Sequence, residues 1–241
     1  MRTILILILI VLYMILSIPL LLFELILRAF NKDESERQCQ IIIIQLMKLI
    51  NFISGVKTTV IGEENVPKDE AVLYVPNHRS LFDFTTTVPV FRMPSIYIGK
   101  KEFMYFPIFG IWVYLIGTLL IDRKNRRKGL GTIAEAIKKV KEGKNCVIFP
   151  EGTRNKGDQE EPLRFREGSL RISSKTGCKV VPVAIIGSRD IYELHKPWVK
   201  PGKVKIVFGK PIDPATLSAE ELKNYGAYTR EKIVELIKAN V

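Results

Sequence analysis

From Ile4 to Phe23 the chain runs for 20 residues without a charge. As a helix that stretch is roughly 30 Å long, about the thickness of the hydrocarbon core of a bilayer. A run such as Ile4–Leu12 has no polar face to turn to water, so it must meet lipid or the inside of a fold. No A-x-A-like cleavage site follows, which argues against a removable secretory signal. Glu24 and Arg28 lead into the hydrophilic stretch Asn31–Arg37, and a second apolar stretch of 15 residues, Cys39–Ile53, contains Lys48 and Asn51. That second stretch is too short and too polar to span, and fits an interfacial or re-entrant helix with Lys48 snorkelling to the head groups. Pro19 bends the first helix and Glu24 lies near its end, so a clean span is weakened. Two topologies remain, a spanning helix followed by a flat one, or both helices within one leaflet. The composition favours the second, a two-helix membrane-embedded hairpin over residues 1–54. Arg28, Lys32 and Arg37 outweigh Arg2 in positive charge, which predicts an inner membrane with the rest of the chain on its cytoplasmic side.

Residues 55–241 have the mixed composition of a single folded domain. The first 54 residues hold five basic and four acidic side chains, so nearly all of the net charge of +12 belongs to this second part. A basic domain attracts nucleic acid, anionic head groups or acidic carrier proteins, and charge does not choose among them. The apolar leader does choose, and it predicts an anionic membrane surface rather than nucleic acid as the partner. Three scattered cysteines (Cys39, Cys146, Cys178) and two histidines offer no CxxC pair and no zinc-ligand spacing, so neither a disulfide nor a metal is expected.

Short β-branched runs bounded by Gly, Pro or Asn predict strands at Lys57–Ile61, Ala71–Val75, Ser95–Ile98, Cys146–Phe149, Val180–Ile186 and Val204–Phe208. Helical spacing predicts helices at Leu81–Val88, Phe106–Leu115, Gly131–Glu142, Ser169–Ser174 and Tyr228–Ala239. Such alternation implies an α/β fold, a mixed and largely parallel sheet with helices on both faces.

Two segments have chemical promise. Val72–Asn77 reads as a strand leaving the core, and Ser80 followed by Asp83 is a partial capping box opening a helix. His78 then sits in the loop between them and Asp83 in the first helical turn, where a carboxylate can reach back to the imidazole. An Asp accepting from Nδ1 fixes the tautomer and leaves Nε2 free as a base. Taken alone, His78 is equally a turn residue and Asp83 a complement to the helix dipole. Further on, the buried-looking strand Asn145–Phe149 opens into Pro150-Glu151-Gly152-Thr153-Arg154-Asn155, at the end of a strand where open α/β sheets place ligands. Gly152 permits close approach of backbone, Thr153 offers a hydroxyl, Arg154 a fork suited to phosphate, and Glu151 a carboxylate that could orient the arginine.

In order and spacing, four blocks carry a resemblance. Asn77-His78-Arg79-Ser80-Leu81-Phe82-Asp83 resembles NHxSxxD. Gly99–Gly110 resembles a KxEL block followed by Pro and Gly, with Phe103 where Leu is usual. Phe149–Arg154 matches FPEGTR, followed by Asn155 where Ser is usual, and Val180-Val181-Pro182-Val183 is similar to a short fourth block. Together they resemble the glycerolipid acyltransferases, and within them the 1-acylglycerol-3-phosphate (lysophosphatidic acid) acyltransferases. The resemblance implies transfer of a fatty acyl group from acyl-acyl carrier protein or acyl-coenzyme A to the sn-2 hydroxyl of lysophosphatidic acid. It implies His78 as general base held by Asp83, and Glu151, Gly152, Thr153 and Arg154 at the acceptor phosphate. It adds Lys100 and Glu102 as further substrate-binding candidates, and implies no cofactor; Arg123, which follows the apolar Leu119-Leu120-Ile121, is a further candidate for the phosphate site on its position alone.

Nothing in the chain suggests a covalent acyl-enzyme, since no G-x-S-x-G elbow occurs and no cysteine neighbours a histidine in sequence. The basic run Arg123–Lys128 suits head groups, an acidic carrier protein or a solvated loop. Gly129–Ala134 fits GxGxxA but follows no strand, which discounts a dinucleotide site. His195 reads as structural. Two alternatives stay open: the same chemistry on glycerol 3-phosphate or another lysolipid, and a non-enzymatic, membrane-tethered basic binding protein.

Overall fold

The computed structural model describes residues 1–122 and 125–241. Three helices come first: α1 (Arg2–Leu16), α2 (Ile18–Phe30) and α3 (Lys32–Ser54). This corrects the two-helix expectation at two places. The break falls at Ser17, because Pro19 sits in the first turn of α2, where its missing N–H costs nothing. The hydrophilic Asn31–Arg37 is the start of α3 and not a loop: the Asn31 side chain accepts from the Glu34 N–H at 3.1 Å. Asp33 and Glu34 suit the positive end of the helix dipole. α1 and α2 are bent by 53°. No single helix among the described residues is long and apolar enough to cross a membrane, and this bent pair alone passes by length and composition.

A seven-stranded sheet follows, in the order β1-β7-β6-β2-β5-β3-β4. Its strands are β1 (Val56–Ile61), β2 (Leu73–Pro76), β3 (Ser95–Lys100), β4 (Leu119–Ile121), β5 (Asn145–Val147), β6 (Val180–Ile186) and β7 (Gly202–Phe208). β6, β2, β5, β3 and β4 run parallel, and β7 joins β6 antiparallel with β1 parallel to it. Sequence patterning missed β4, whose three half-buried residues are too few to show a period. The helices of this part are α4 (Phe82–Thr87), α5 (Pro107–Leu115), α6 (Arg126–Lys141), α7 (Glu167–Thr176), α8 (Ala219–Lys223) and α9 (Tyr225–Lys238). α6 contains Gly129–Ala134, so that glycine pattern lies within a helix.

The two-residue period of the strands splits the core. Val72 and Tyr74 of the β2 segment, with Val181, Val183 and Ile185 of β6, face one layer; Leu73 and Val75, with Val180, Ala184 and Ile186, face the other. The first layer is built by α3, α4 and α5 through Cys39, Ile43, Met47, Ile50, Phe82, Trp112 and Leu115. The second is built by α6, α7 and α9 through Ile133, Ala136, Leu170, Ile172, Ile233 and Ile237. Helices therefore lie on both faces, as the alternation of patterns implies.

The second apolar stretch, expected at a membrane interface, is in α3, and α3 covers one face of the sheet. Its buried positions Glu36, Cys39, Gln40, Ile43, Met47, Ile50 and Ser54 form a stripe at helical spacing. Gln40 donates to the carbonyls of Ser95 and Ile116 at 2.9 and 3.1 Å, and its own oxygen accepts from the Ser95 N–H at 3.3 Å. At the other end Glu36 pairs with Arg28 at 3.2 Å and Lys144 at 2.6 Å, joining α2, α3 and the turn before β5. Hence residue 54 ends a helix at the left-handed Gly55, yet the core continues across it.

Gln40→Leu should destabilise the whole α/β unit by about 2 kcal/mol, because it strands a buried donor and two acceptors. Chemical denaturation followed by near-UV circular dichroism would show one shifted transition. An unshifted sheet transition would make α3 an appendage.

Candidate active site

β2 and β5 are neighbours, but the chain leaves them toward opposite faces, β2 into α4 on the α3 side and β5 into α7 on the other. That divergence opens a crevice at their carboxyl ends, the usual ligand site of an open α/β sheet. His78 follows β2 and the Pro150–Arg154 segment follows β5.

Asn77 pins the end of β2 to β6, accepting from the Ile185 N–H at 2.7 Å and donating to its carbonyl at 3.0 Å. The next residues reverse direction around one carboxylate. Asp83, with no exposed surface, accepts on Oδ2 from the N–H groups of Arg79 at 2.6 Å and Ser80 at 2.8 Å. The same oxygen lies 2.8 Å from His78 Nδ1. Two backbone donors thus fix the carboxylate, and the carboxylate selects the tautomer in which Nδ1 carries the proton. Phe149 lies against the ring with centroids 4.5 Å apart, and 24% of the His78 side chain remains exposed. Nε2 is the nitrogen left for chemistry.

The β5 loop is locked to this turn. Glu151 accepts from the His78 N–H at 2.6 Å and the Leu163 N–H at 2.9 Å, and the Asn155 N–H donates to the His78 carbonyl at 2.7 Å. Glu151 therefore supports the histidine's backbone. Orienting Arg154, the part the sequence offered it, falls to Glu193, whose Oε1 sits 2.9 Å from Arg154 Nη1. Burial, offset in part by the two backbone donors, raises the Glu151 carboxyl to about 6. Gly152 has φ +71°, and a Cβ there would meet Arg166 Nε at 2.9 Å, so the position demands glycine. Thr153 is exposed and Arg154 half-buried beside it. Asn155, standing where Ser is usual, turns its side chain away into the loop. It donates to the Asp158 and Glu161 carbonyls at 3.1 and 2.8 Å and accepts from the Gly157 N–H at 2.8 Å.

The remaining candidates are not drawn into this cluster. Lys100 ends β3, separated from β2 by β5, and its side chain and that of Glu102 are exposed. The ion pair of that turn belongs to Lys101 and Asp122, at 2.7 Å. Arg123 lies outside the described residues. Among the described residues no His, Cys, Asp and Glu group is arranged to hold a metal ion, and Cys39, Cys146 and Cys178 are buried and free. Sequence reading missed Glu193 altogether. It lies within Tyr192-Glu193-Leu194-His195, a segment with no motif, and only the fold carries it to the site.

Fold and site put the chain among α/β proteins that gather their chemistry at the carboxyl edge of parallel strands. Comparison with known proteins narrows that class. The acyltransferase family model matches residues 57–186, which contain every element of the crevice except Glu193. A 1-acyl-sn-glycerol-3-phosphate acyltransferase of Escherichia coli is 32% identical over 171 residues, 69% of this chain and 68% of that protein. One from Borreliella burgdorferi is 28% identical over 192 residues, 80% and 76% of the two chains. The crystal structure of the 1-acyl-sn-glycerophosphate (LPA) acyltransferase of Thermotoga maritima superposes with a TM-score of 0.78 at 28% identity, covering 100% of this chain and 96% of that one. The chain belongs to the acyltransferase family.

Glu151 provides a direct check on the site's electrostatics. Its folded value of about 6 lies above the ordinary 4.5, so its protonated form favours folding. That contribution is complete below 4.5 and is lost as the pH rises through 6, a change of about 2 kcal/mol. Glu151→Gln cannot ionise, so its stability relative to the parent should rise by about 2 kcal/mol between pH 4.5 and pH 7.5 in denaturation titrations. A difference that stays flat would give Glu151 an ordinary carboxyl.

Proposed function

We propose that the protein transfers a fatty acyl group from an acyl thioester, carried by acyl carrier protein or coenzyme A, to the 2-hydroxyl of lysophosphatidic acid, yielding phosphatidic acid for phospholipid synthesis. The observation that carries this reading is the single carboxylate oxygen of Asp83 that receives two backbone N–H groups and His78 Nδ1. A ring so oriented presents Nε2 as a base without further rearrangement. His78 takes the proton of the acceptor hydroxyl as its oxygen attacks the thioester carbonyl. The tetrahedral intermediate collapses with loss of the thiolate, and the imidazolium returns the proton to sulfur. No residue is acylated along the way. Arg154 faces the acceptor phosphate, with Thr153 beside it and Gly152 letting the backbone come close. Assistance by a positioned base contributes roughly 10²–10⁴-fold, and a guanidinium–phosphate contact a charge-assisted hydrogen bond or two.

The chain's apolar surface supports a membrane as the place where this happens. Outward-facing Leu7, Val11, Ile15, Leu16 and Phe23 of α1 and α2 are all exposed, whereas Glu24 is turned inward and fully buried. A bent pair with one apolar side and one side packed on α3 fits a monotopic seat in one leaflet. With the basic α/β unit on the cytoplasmic side of an inner membrane, that seat brings both lipid substrates to the crevice.

His78→Ala should lower kcat/KM by about 10²–10⁴-fold, and Arg154→Ala should raise the KM for lysophosphatidic acid by about 10–100-fold. Steady-state assays with both donors check these; near-normal turnover in His78→Ala would sink the catalytic reading and favour a binding protein. For the membrane seat, replacing Leu7, Val11 and Ile15 together by Ser should release the protein from anionic vesicles in a flotation assay. Undiminished flotation of a folded variant would place the main anchor elsewhere.

A further inference from the structure

We infer that Glu193 is a positioning residue that joins the acceptor-phosphate clamp to the loop holding the catalytic base, so that Arg154 acts through it. The inference rests on the reading of Arg154 given above. Glu193 comes from the connection between β6 and β7, outside the residues matched by the family model, and only 9% of its side chain is exposed. Its Oε1 accepts from Arg154 Nη1 at 2.9 Å and from the Leu81 N–H at 3.0 Å. Its Oε2 accepts from the Ser80 hydroxyl. One carboxylate therefore takes donors from two loops that are far apart in sequence and adjacent only at the crevice.

Each contact has a separate consequence. The ion pair holds one edge of the Arg154 fork, and the guanidinium's other donors are those available to an oxyanion. A half-exposed arginine without such a partner would sample many rotamers, and binding would have to freeze them. The contacts to Ser80 and Leu81 fall immediately before Asp83. Ser80 is also one of the two backbone donors to the Asp83 carboxylate. Fixing this turn therefore fixes the donors on which the His78–Asp83 pair depends. Because Glu193 is largely desolvated, its links to Arg154 and to the turn are stronger than a surface ion pair would be. Its role is distinct from that of Glu151, whose oxygens are spent on the His78 and Leu163 amides.

The test is a double-mutant cycle on the full-length chain in detergent micelles, with long-chain acyl-coenzyme A as donor and lysophosphatidic acid as acceptor. Glu193→Ala should raise the acceptor KM about tenfold and leave the donor KM unchanged. In an Arg154→Ala background the same substitution should produce no further rise in acceptor KM, because the group it positions is gone. Glu193→Gln should recover most of the acceptor KM, since its oxygen can accept from Arg154 and its amide can donate to the Ser80 hydroxyl. Glu193→Asp, one methylene short of reaching both loops, should not. An unchanged acceptor KM in Glu193→Ala overturns the inference, as do KM effects that multiply in the double variant. If the alanine variant does not fold, the Gln and Asp variants decide by the same KM comparison, their thermal melting establishing that they are folded. His78→Ala measured in parallel separates the two levels of the argument. Turnover surviving there removes the proposed function itself, whereas lost turnover together with multiplying Glu193 and Arg154 effects removes the positioning role alone.

Discussion

The site depends on a buried carboxylate that would be intolerable without its donors. Asp83 lies wholly out of solvent, and an isolated charge there would cost several kcal/mol. Its Oδ2 is compensated by two amide N–H groups and an imidazole N–H. Removing any of them leaves desolvation that the others must offset. The turn from β2 into α4 delivers those amides to that oxygen, so the chain conformation and the histidine's tautomer are set together. Everything nearby keeps that turn in place: Asn77 by anchoring β2 to β6, Glu151 and Asn155 by holding the His78 amide and carbonyl, and Glu193 by gripping Ser80 and Leu81.

Sheet topology explains why these groups meet. β2 and β5 are adjacent, but their connections pass to opposite faces, and an open crevice forms only where this happens. Had α4 and α7 packed on the same side, the loops bearing His78 and Arg154 would have been filled by helix. The antiparallel β7 has its own consequence. It sends the β6–β7 connection back across the carboxyl edge, and so carries Glu193 to loops 39 and 113 positions away in sequence.

Much of this could be read from the chain, for identifiable reasons. β6 is plain because Val180–Ile186 is a short, β-branched apolar run bounded by turn residues, and all seven of its positions are buried in the structure. His78 and Asp83 were readable because a strand end, a loop and a helix start are local events with local signals. For Glu151 the neighbour differs: a carboxylate beside an arginine in sequence suggests a pair, whereas the structure turns it inward to backbone amides. α3 departs from its sequence expectation for a related reason. Its stretch of isoleucines looks like a lipid-facing segment, and only the positions of Glu36, Gln40 and Ser54 on the buried stripe reveal that the polar groups face the protein. Glu193 had no local signal at all, since its partners are set by topology.

The segment carrying Glu193 also touches the start of the chain. The Val199 N–H donates to Thr3 Oγ1 at 2.7 Å, and at the other end of α1 the Trp112 indole donates to Ser17 at 3.1 Å. α1 is thus held at both ends by the α/β unit, and α3 shares its core with the sheet. With α1 fixed at its start and at the 53° bend into α2, and with both packed on α3, the pair is held in place against the sheet. Whatever orientation α1 and α2 take toward an apolar phase is therefore passed on to the crevice as a fixed angle. The apolar leader constrains this chain so strongly because its contact with the sheet holds α1, α2 and the His78 crevice together as one piece.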